Sequence, residues 1–363
     1  MQLPITQKVE KGHACSLPVE RVLWRICGCT ILSLFVILSN ARSGEKLTLT
    51  LAKKITHQKL SWPKSVRCSP DGRYVYVNNL EGKNTMILDA STYKILKIIK
   101  HEGKPVECDF TQNGRYVWIS YLRLTGHSDR ERSVVVVYDT EVGRIIKKVQ
   151  VGIMPKMVAT SPDGRYVFVS NWRSNSVSVI STSSYEVVKE IKVGIIPRGI
   201  CFTPDAQYCY VANMGGCSIS VINMEYLEVI KTITESVGNR PRHLVGTKDG
   251  RYIYISNHGD GNIRRLDTST NKIGGHAKVG IQPRTIVLSS DDKYLFCVNY
   301  KSNTVSVVDT EQMKQIYTVS TGFKPVGIDI SPDGRKLWVS NYASGSIYVY
   351  DIDYGEPPLS IDK

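Results

Sequence analysis

The chain has 363 residues, with 47 Lys and Arg against 33 Asp and Glu, for a formal net charge of +14. That balance favours anionic partners such as nucleic acid, acidic glycan or a membrane surface, and leaves open a soluble protein whose surface is simply basic. C-x-x-C, C-x-x-C-H, H-E-x-x-H and Walker-type glycine motifs are missing, which excludes the zinc, c-haem and nucleotide sites that can be read from sequence. No cofactor or metal is expected.

In chain order, residues 1–20 are polar and unpatterned, and Arg21 and Arg25 then precede the apolar run ICGCTILSLFVILS, Ile26 to Ser39. A basic flank, a short apolar run and the small residues around Ala41 describe a secretory signal peptide over 1–41, and the protein is expected to be exported to the periplasm or cell surface. The alternative is a retained membrane anchor over 22–39, although a spanning helix usually needs ~20 apolar residues.

Residues 42–363 form the second region. Its first strand-like stretch, LTLTLAKKI within Glu45 to Trp62, matches the last strand of a repeat that nothing precedes. The repeat itself is clearest at SPDGRYVFVSN, Ser161 to Asn171, followed by SVSVI (Ser176 to Ile180), VVKEI (Val187 to Ile191) and a closing VGIIP that ends at Pro197. Pro162-Asp163-Gly164 is a turn with a mechanism: Pro fixes φ, Asp bonds its own backbone and Gly tolerates positive φ. Tyr166 and Phe168 face one side of the following strand and Val167 and Val169 the other, so this strand must be covered on both faces.

Further copies begin SPDGRYVYVNN (Ser69), TQNGRYVWISY (Thr111), TPDAQYCYVAN (Thr203), TKDGRYIYISN (Thr247), SSDDKYLFCVN (Ser289) and SPDGRKLWVSN (Ser331). The proline before each first strand recurs at Pro63, Pro105, Pro155, Pro197, Pro241, Pro283 and Pro325. Four short strands every 40–45 residues or so is the signature of a propeller blade. The fold class is therefore all-β, a seven-bladed β-propeller. The seventh copy ends after SIYVYDID (Ser346 to Asp353) without a fourth strand, so the N-terminal strand is predicted to complete the last blade and close the ring.

These motifs resemble the YVTN-type β-propeller repeat family, with its PDG turn, YVYVSN and NTVSVID strands and closing VG-x-x-P, over everything from about Glu45 to Asp353. The resemblance implies the propeller fold. Similar repeats occur in YncE-like exported bacterial proteins and archaeal surface-layer proteins, and similar propellers in lactonases and haem-binding reductases. It therefore implies binding, scaffold or enzymatic roles without choosing among them.

Strand order places the Asn-centred loops and the Pro-marked blade connections on one face, here called the top. Beside the marker prolines stand Lys64, Lys104, Lys156, Arg198, Arg240 with Arg242, Arg284 and Lys324. Directly after the Asn column come Trp172, His258, Tyr300 and Tyr342, while blade two puts Tyr121 in the column itself. Cations interleaved with aromatics suit an anionic polymer, either single-stranded nucleic acid or an acidic glycan. The plain alternative is that the rings pack against neighbouring blades. A second cationic ring on the opposite face, Arg73, Arg115, Arg165, Arg251, Lys293 and Arg335, is predicted to be a solvated rim tied to turn aspartates.

Blade two exceeds the repeat by eight residues within YLRLTGHSDRERS, Tyr121 to Ser133. This loop either carries a protein partner or is an inert insertion. For catalysis the sequence offers His243, His258, Glu107 and Asp329, the residues that a lactonase-like hydrolase would have to bring together. The favoured function is a non-enzymatic binding or scaffold module, with that hydrolase or a cofactor-carrying propeller as the alternative. Cys68, Cys108, Cys201, Cys209, Cys217 and Cys297 fall at different columns of the repeat and are predicted to be small core residues rather than disulfide partners.

Overall fold

A computed structural model describes residues 47–124 and 130–355. The leader over 1–41 and residues 125–129 of the blade-two loop lie outside the described residues. Seven four-stranded antiparallel sheets form the blades. Their innermost strands are Pro63–Cys68, Pro105–Thr111, Pro155–Thr160, Pro197–Phe202, Pro241–Gly246, Pro283–Leu288 and Pro325–Ile330. Each packs against its neighbours, and together they enclose the central channel.

Ring closure follows the prediction. Strand Thr48–Thr56 pairs antiparallel with Ser346–Asp353, in register from Thr48 opposite Asp353 to Thr56 opposite Ser346, with one bulge between Leu51 and Lys53. The seventh blade is thus built from both ends of the propeller region, and its outer edge is covered by a strand from the other end of the chain.

The double-sided apolar strand explains how the blades cohere. Val167, Phe168 and Val169 are all fully buried. Val167 and Val169 pack toward blade two in a cluster with Trp118 and Val135, while Phe168 joins Ile200, Cys209 and Val211 of blade four. One strand therefore contributes to two inter-blade cores, which is why a single copy cannot stand alone.

The Asn column is structural. In blade three, Asn171 donates from Nδ2 to Ser176 and Ser178 Oγ and accepts the Gly152 N–H at 3.1 Å. A Cβ at Gly152 would lie 2.5 Å from the Asn171 side chain, and Gly194, Gly238, Gly280 and Gly322 approach Asn213, Asn257, Asn299 and Asn341 in the same way, so the glycine in these five connections is required by the approach of the buried amide. The six cysteines are unpaired, and Cys108, Cys209 and Cys297 are buried. Among the described residues no helix is long and apolar enough to cross a membrane.

Candidate functional site

The top-face cations are sorted by their register against the marker proline. The residue before that proline is left-handed in six blades: Trp62, Met154, Ile196, Arg240, Gln282 and Lys324 all have φ between 52° and 58°. The residue after it begins the inner strand. In blades one, three, four, five and six that residue is Lys64, Lys156, Arg198, Arg242 and Arg284. In blades two and seven it is the buried Val106 and Val326, and the cation precedes the proline instead.

That one-residue difference decides which side chains converge. Lys64 is held well below the usual lysine range by burial and by the charges of Arg198, Arg284, Arg242 and Lys156, so all five cations share one field. Lys156 and Arg242 are 8% and 7% exposed. Burial and Arg198 hold both below their ordinary values, and burial pushes Arg198 and Arg284 down too. Among the described residues none of the five has a carboxylate within ion-pair distance. Lys64, Arg198 and Arg284 are half-buried. Cations crowded in a partly dehydrated mouth with no carboxylate in ion-pair contact are costly, and an entering anion would relieve that cost.

The carboxylate facing this cluster is Glu107, two residues after Pro105. Burial pushes its acid form up, against the opposing pull of Arg198, Lys64, Arg67 and Arg242. Glu107, Arg198, Arg242 and His243 line one small constriction, with Met157, Gly199 and Thr285. Burial and the surrounding guanidinium groups push His243 down to about 3, so it is neutral at physiological pH. Below the constriction a cavity of about 200 Å³ is lined by all seven inner strands. There Arg67 pairs with Asp109 at 3.0 Å and lies 3.9 Å from Asp329. Asp109 accepts the Thr160 N–H and Asp329 the Cys68 N–H, each at 2.8 Å. Asp329 is thus a clamp between blades seven and one; it lines this cavity together with Glu107 and His243 but is not part of the constriction above it.

Several expected site residues lie elsewhere or are already engaged. Lys104 donates to both carboxylate oxygens of Glu81 at 2.7 Å, and Lys324 is exposed, 5.8 Å from the Tyr300 ring. Tyr121 is 1% exposed, with its hydroxyl 2.8 Å from His101 Nδ1, because the Asn column points into the blade. It offers no surface to a ligand. His258 is buried, and burial with the charges of Arg242 and Arg284 pushes it down to about 3. The remaining rings carry the cations: Lys156 stands 4.7 Å over Trp172, Arg284 3.4 Å over Tyr300 and Lys64 5.3 Å over Tyr342, which also packs on Trp62. These aromatics hold the cations in place through their negative faces.

Two features stand outside the cation and aromatic columns. One is Glu107 as the counter-charge to the cations. The other is the serine before the Asn column: Ser120, Ser170 and Ser256 donate to the carbonyls of Lys156, Arg198 and Arg284 in the next blade at 2.8, 2.7 and 2.6 Å. The recurring Ser-Asn pair is the one sequence signal that points to it. On the opposite face Arg73 and Arg165 are bound by their own turn aspartates, Asp71 and Asp163.

Fold and site together define a seven-bladed β-propeller with a cationic throat at one mouth of its channel. The family model described as "Lactonase, 7-bladed beta-propeller" matches residues 182–315. Among solved structures, the chain is similar to a chain of the Kuenenia stuttgartiensis hydrazine synthase, with a TM-score of 0.72 and 21% identity over 82% of this chain and 97% of that one. At that identity the likeness shows the fold alone. No curated protein sequence matches the chain.

Proposed function

We propose that the protein is an exported, non-enzymatic binding propeller of the YVTN type, acting at the periplasm or cell surface, whose top-face throat captures an anionic group. The observation that carries this reading is the convergence of Lys64, Lys156, Arg198, Arg242 and Arg284 without ion-pair partners among the described residues. An anionic polymer, nucleic acid or acidic glycan, would present one phosphate or carboxylate to the throat and lay its remaining length over the top face. Titration with inorganic phosphate and with a single-stranded oligonucleotide at two salt concentrations tests the reading. Changing Arg198, Arg242 and Arg284 together to Ser should weaken both, whereas the same change at Arg73, Arg165 and Arg335 should not. Equal losses would leave a diffuse charge effect and no site.

A second reading, a lactonase-like hydrolase, is favoured by Glu107 and His243 lining the same constriction as Arg198 and Arg242, and by the partial family match. Glu107 would then act as the general base toward water while the guanidinium groups hold the substrate oxygen. Hydrolysis of a lactone panel that disappears in Glu107→Gln would favour this reading over the first.

A further inference from the structure

Beside the throat, between blades three and four, the top face carries a pocket of about 400 Å³ lined by Trp172, Arg173, Asn175, Ile195 and Ile196. That volume falls in the range of sites that hold small organic ligands. Ile195 is 56% exposed, and Ile281 and Phe323, two residues before the marker prolines of blades six and seven, are exposed as well; what marks this place is the wall that Ile195 forms with Ile196 and Trp172. The connection that presents it is firmly built. Ile196 is β-branched yet left-handed, with φ at 58°, a costly conformation for such a residue. Its N–H is held by Asn175 Oδ1 at 2.9 Å. The N–H groups of Gly215 and Gly216 both donate to the Ile195 carbonyl, at 3.0 and 3.1 Å. A Cβ at Gly215 would come within 3.0 Å of side-chain atoms of both isoleucines, so the bare glycine leaves room for the pair.

The pocket and the throat meet at Trp172. Its ring lines the pocket while Lys156, one of the five converging cations, stands 4.7 Å from the ring centroid. Arg198 follows Ile195 and Ile196 by one proline, so the same short connection supplies the apolar wall and a throat guanidinium.

We propose that throat and pocket form one site for a small amphiphilic anion, with the charged group beside Lys156, Arg198 and Arg242 and an apolar chain or ring against Trp172, Ile195 and Ile196. This rests on the anion-capture reading above and adds the chemistry of what adjoins the anion. The neighbouring cations supply the charge complementarity that a purely apolar ligand could not use. The apolar wall supplies affinity that a bare inorganic ion could not use.

Calorimetric titration of the full chain with octyl phosphate below its micelle concentration, inorganic phosphate and octyl glucoside separates the outcomes. Octyl phosphate should bind at least about tenfold more tightly than phosphate, and octyl glucoside should not bind measurably. Ile195→Ser and Trp172→Ala should each narrow the ratio between octyl phosphate and phosphate, with circular dichroism verifying the fold. Equal affinity for octyl phosphate and phosphate, or a ratio unmoved by both variants, would overturn the pocket while leaving the throat intact. Octyl glucoside binding as tightly as octyl phosphate would overturn it as well. Uptake onto phosphatidylglycerol vesicles with the same dependence on Ile195, in place of binding to the monomer, would reassign the face to membrane docking. If neither phosphate nor octyl phosphate binds, the anion-capture reading itself fails.

Discussion

Ser170 Oγ donates to the Arg198 carbonyl of the next blade at 2.7 Å and accepts the Met157 N–H of its own blade at 3.1 Å. One hydroxyl therefore ties the second strand of blade three to its own inner strand and to the strand that carries a throat cation. Ser256 repeats the arrangement between His243 and Arg284. Blade four has Ala212 at the corresponding place, so no hydroxyl there can reach the Arg242 carbonyl. Removing Ser170 should leave both part-buried partners unsatisfied. Ser170→Ala is expected to cost ~1–3 kcal/mol in urea denaturation and to weaken anion binding through the displaced Arg198 backbone.

Closure of the ring makes a second prediction. Deleting the chain through Thr56 removes the partner of Ser346–Asp353 and uncovers Ile347 and Val349, which pack in the core between blades seven and one. The truncated protein should melt well below the parent and associate through the exposed edge, as read by thermal denaturation and size exclusion. A truncated chain that melts like the parent and stays monomeric would contradict the pairing of Thr48–Thr56 with Ser346–Asp353.

Salt dependence distinguishes the throat from general basicity. Each cation withdrawn from the phosphates of a single-stranded polyanion should take about 0.7 off the slope of log affinity against log salt, so the Arg198, Arg242 and Arg284 triple should flatten it by roughly 2. Arg73 and Arg165 are bound by their own turn aspartates, and changing them with Arg335 should leave the slope nearly intact.

Proton linkage gives a pH prediction whose sign is set by Lys64 and Lys156. Both lie well below the ordinary lysine range because burial and neighbouring cations disfavour their charged forms. Between the depressed values and the usual ~10.4, the unfolded chain binds more protons than the native one, so stability should rise with pH across that window. A bound anion favours the charged lysines and raises their pKa values again. Binding should therefore take up protons and tighten as pH falls through the interval between the free and bound values. Calorimetry in buffers of different ionisation enthalpy measures the uptake, and its absence would remove the lysines from the site.

Glu107→Gln separates the two functional readings. Removing the carboxylate that opposes the cations should strengthen binding of phosphate by about tenfold if the throat is a capture site. Loss of a lactone-hydrolysing activity, with substrate binding retained, would instead identify Glu107 as a base.

Blade number, strand order and the closing role of the N-terminal strand were determined by the sequence itself, because they rest on local chemistry repeated seven times. The PDG turns, the alternation of Val167 and Phe168 to opposite faces, and the missing fourth strand after Asp353 all act within a few residues. The site was determined only in the tertiary structure. Lys104 and Arg198 both adjoin a marker proline, yet the residue before the proline stays on the outer turn and the residue after it starts the channel wall. A shift of one position thus separates an ion pair with Glu81 from a place in the throat. Tyr121 occupies the column of Asn171, whose side chain points into the blade, so it is buried against His101 where a surface aromatic was expected. Residues of five different blades meet only when the ring closes, and neither the shared field of Lys64, Lys156, Arg198, Arg242 and Arg284 nor the opposing Glu107 exists along the chain.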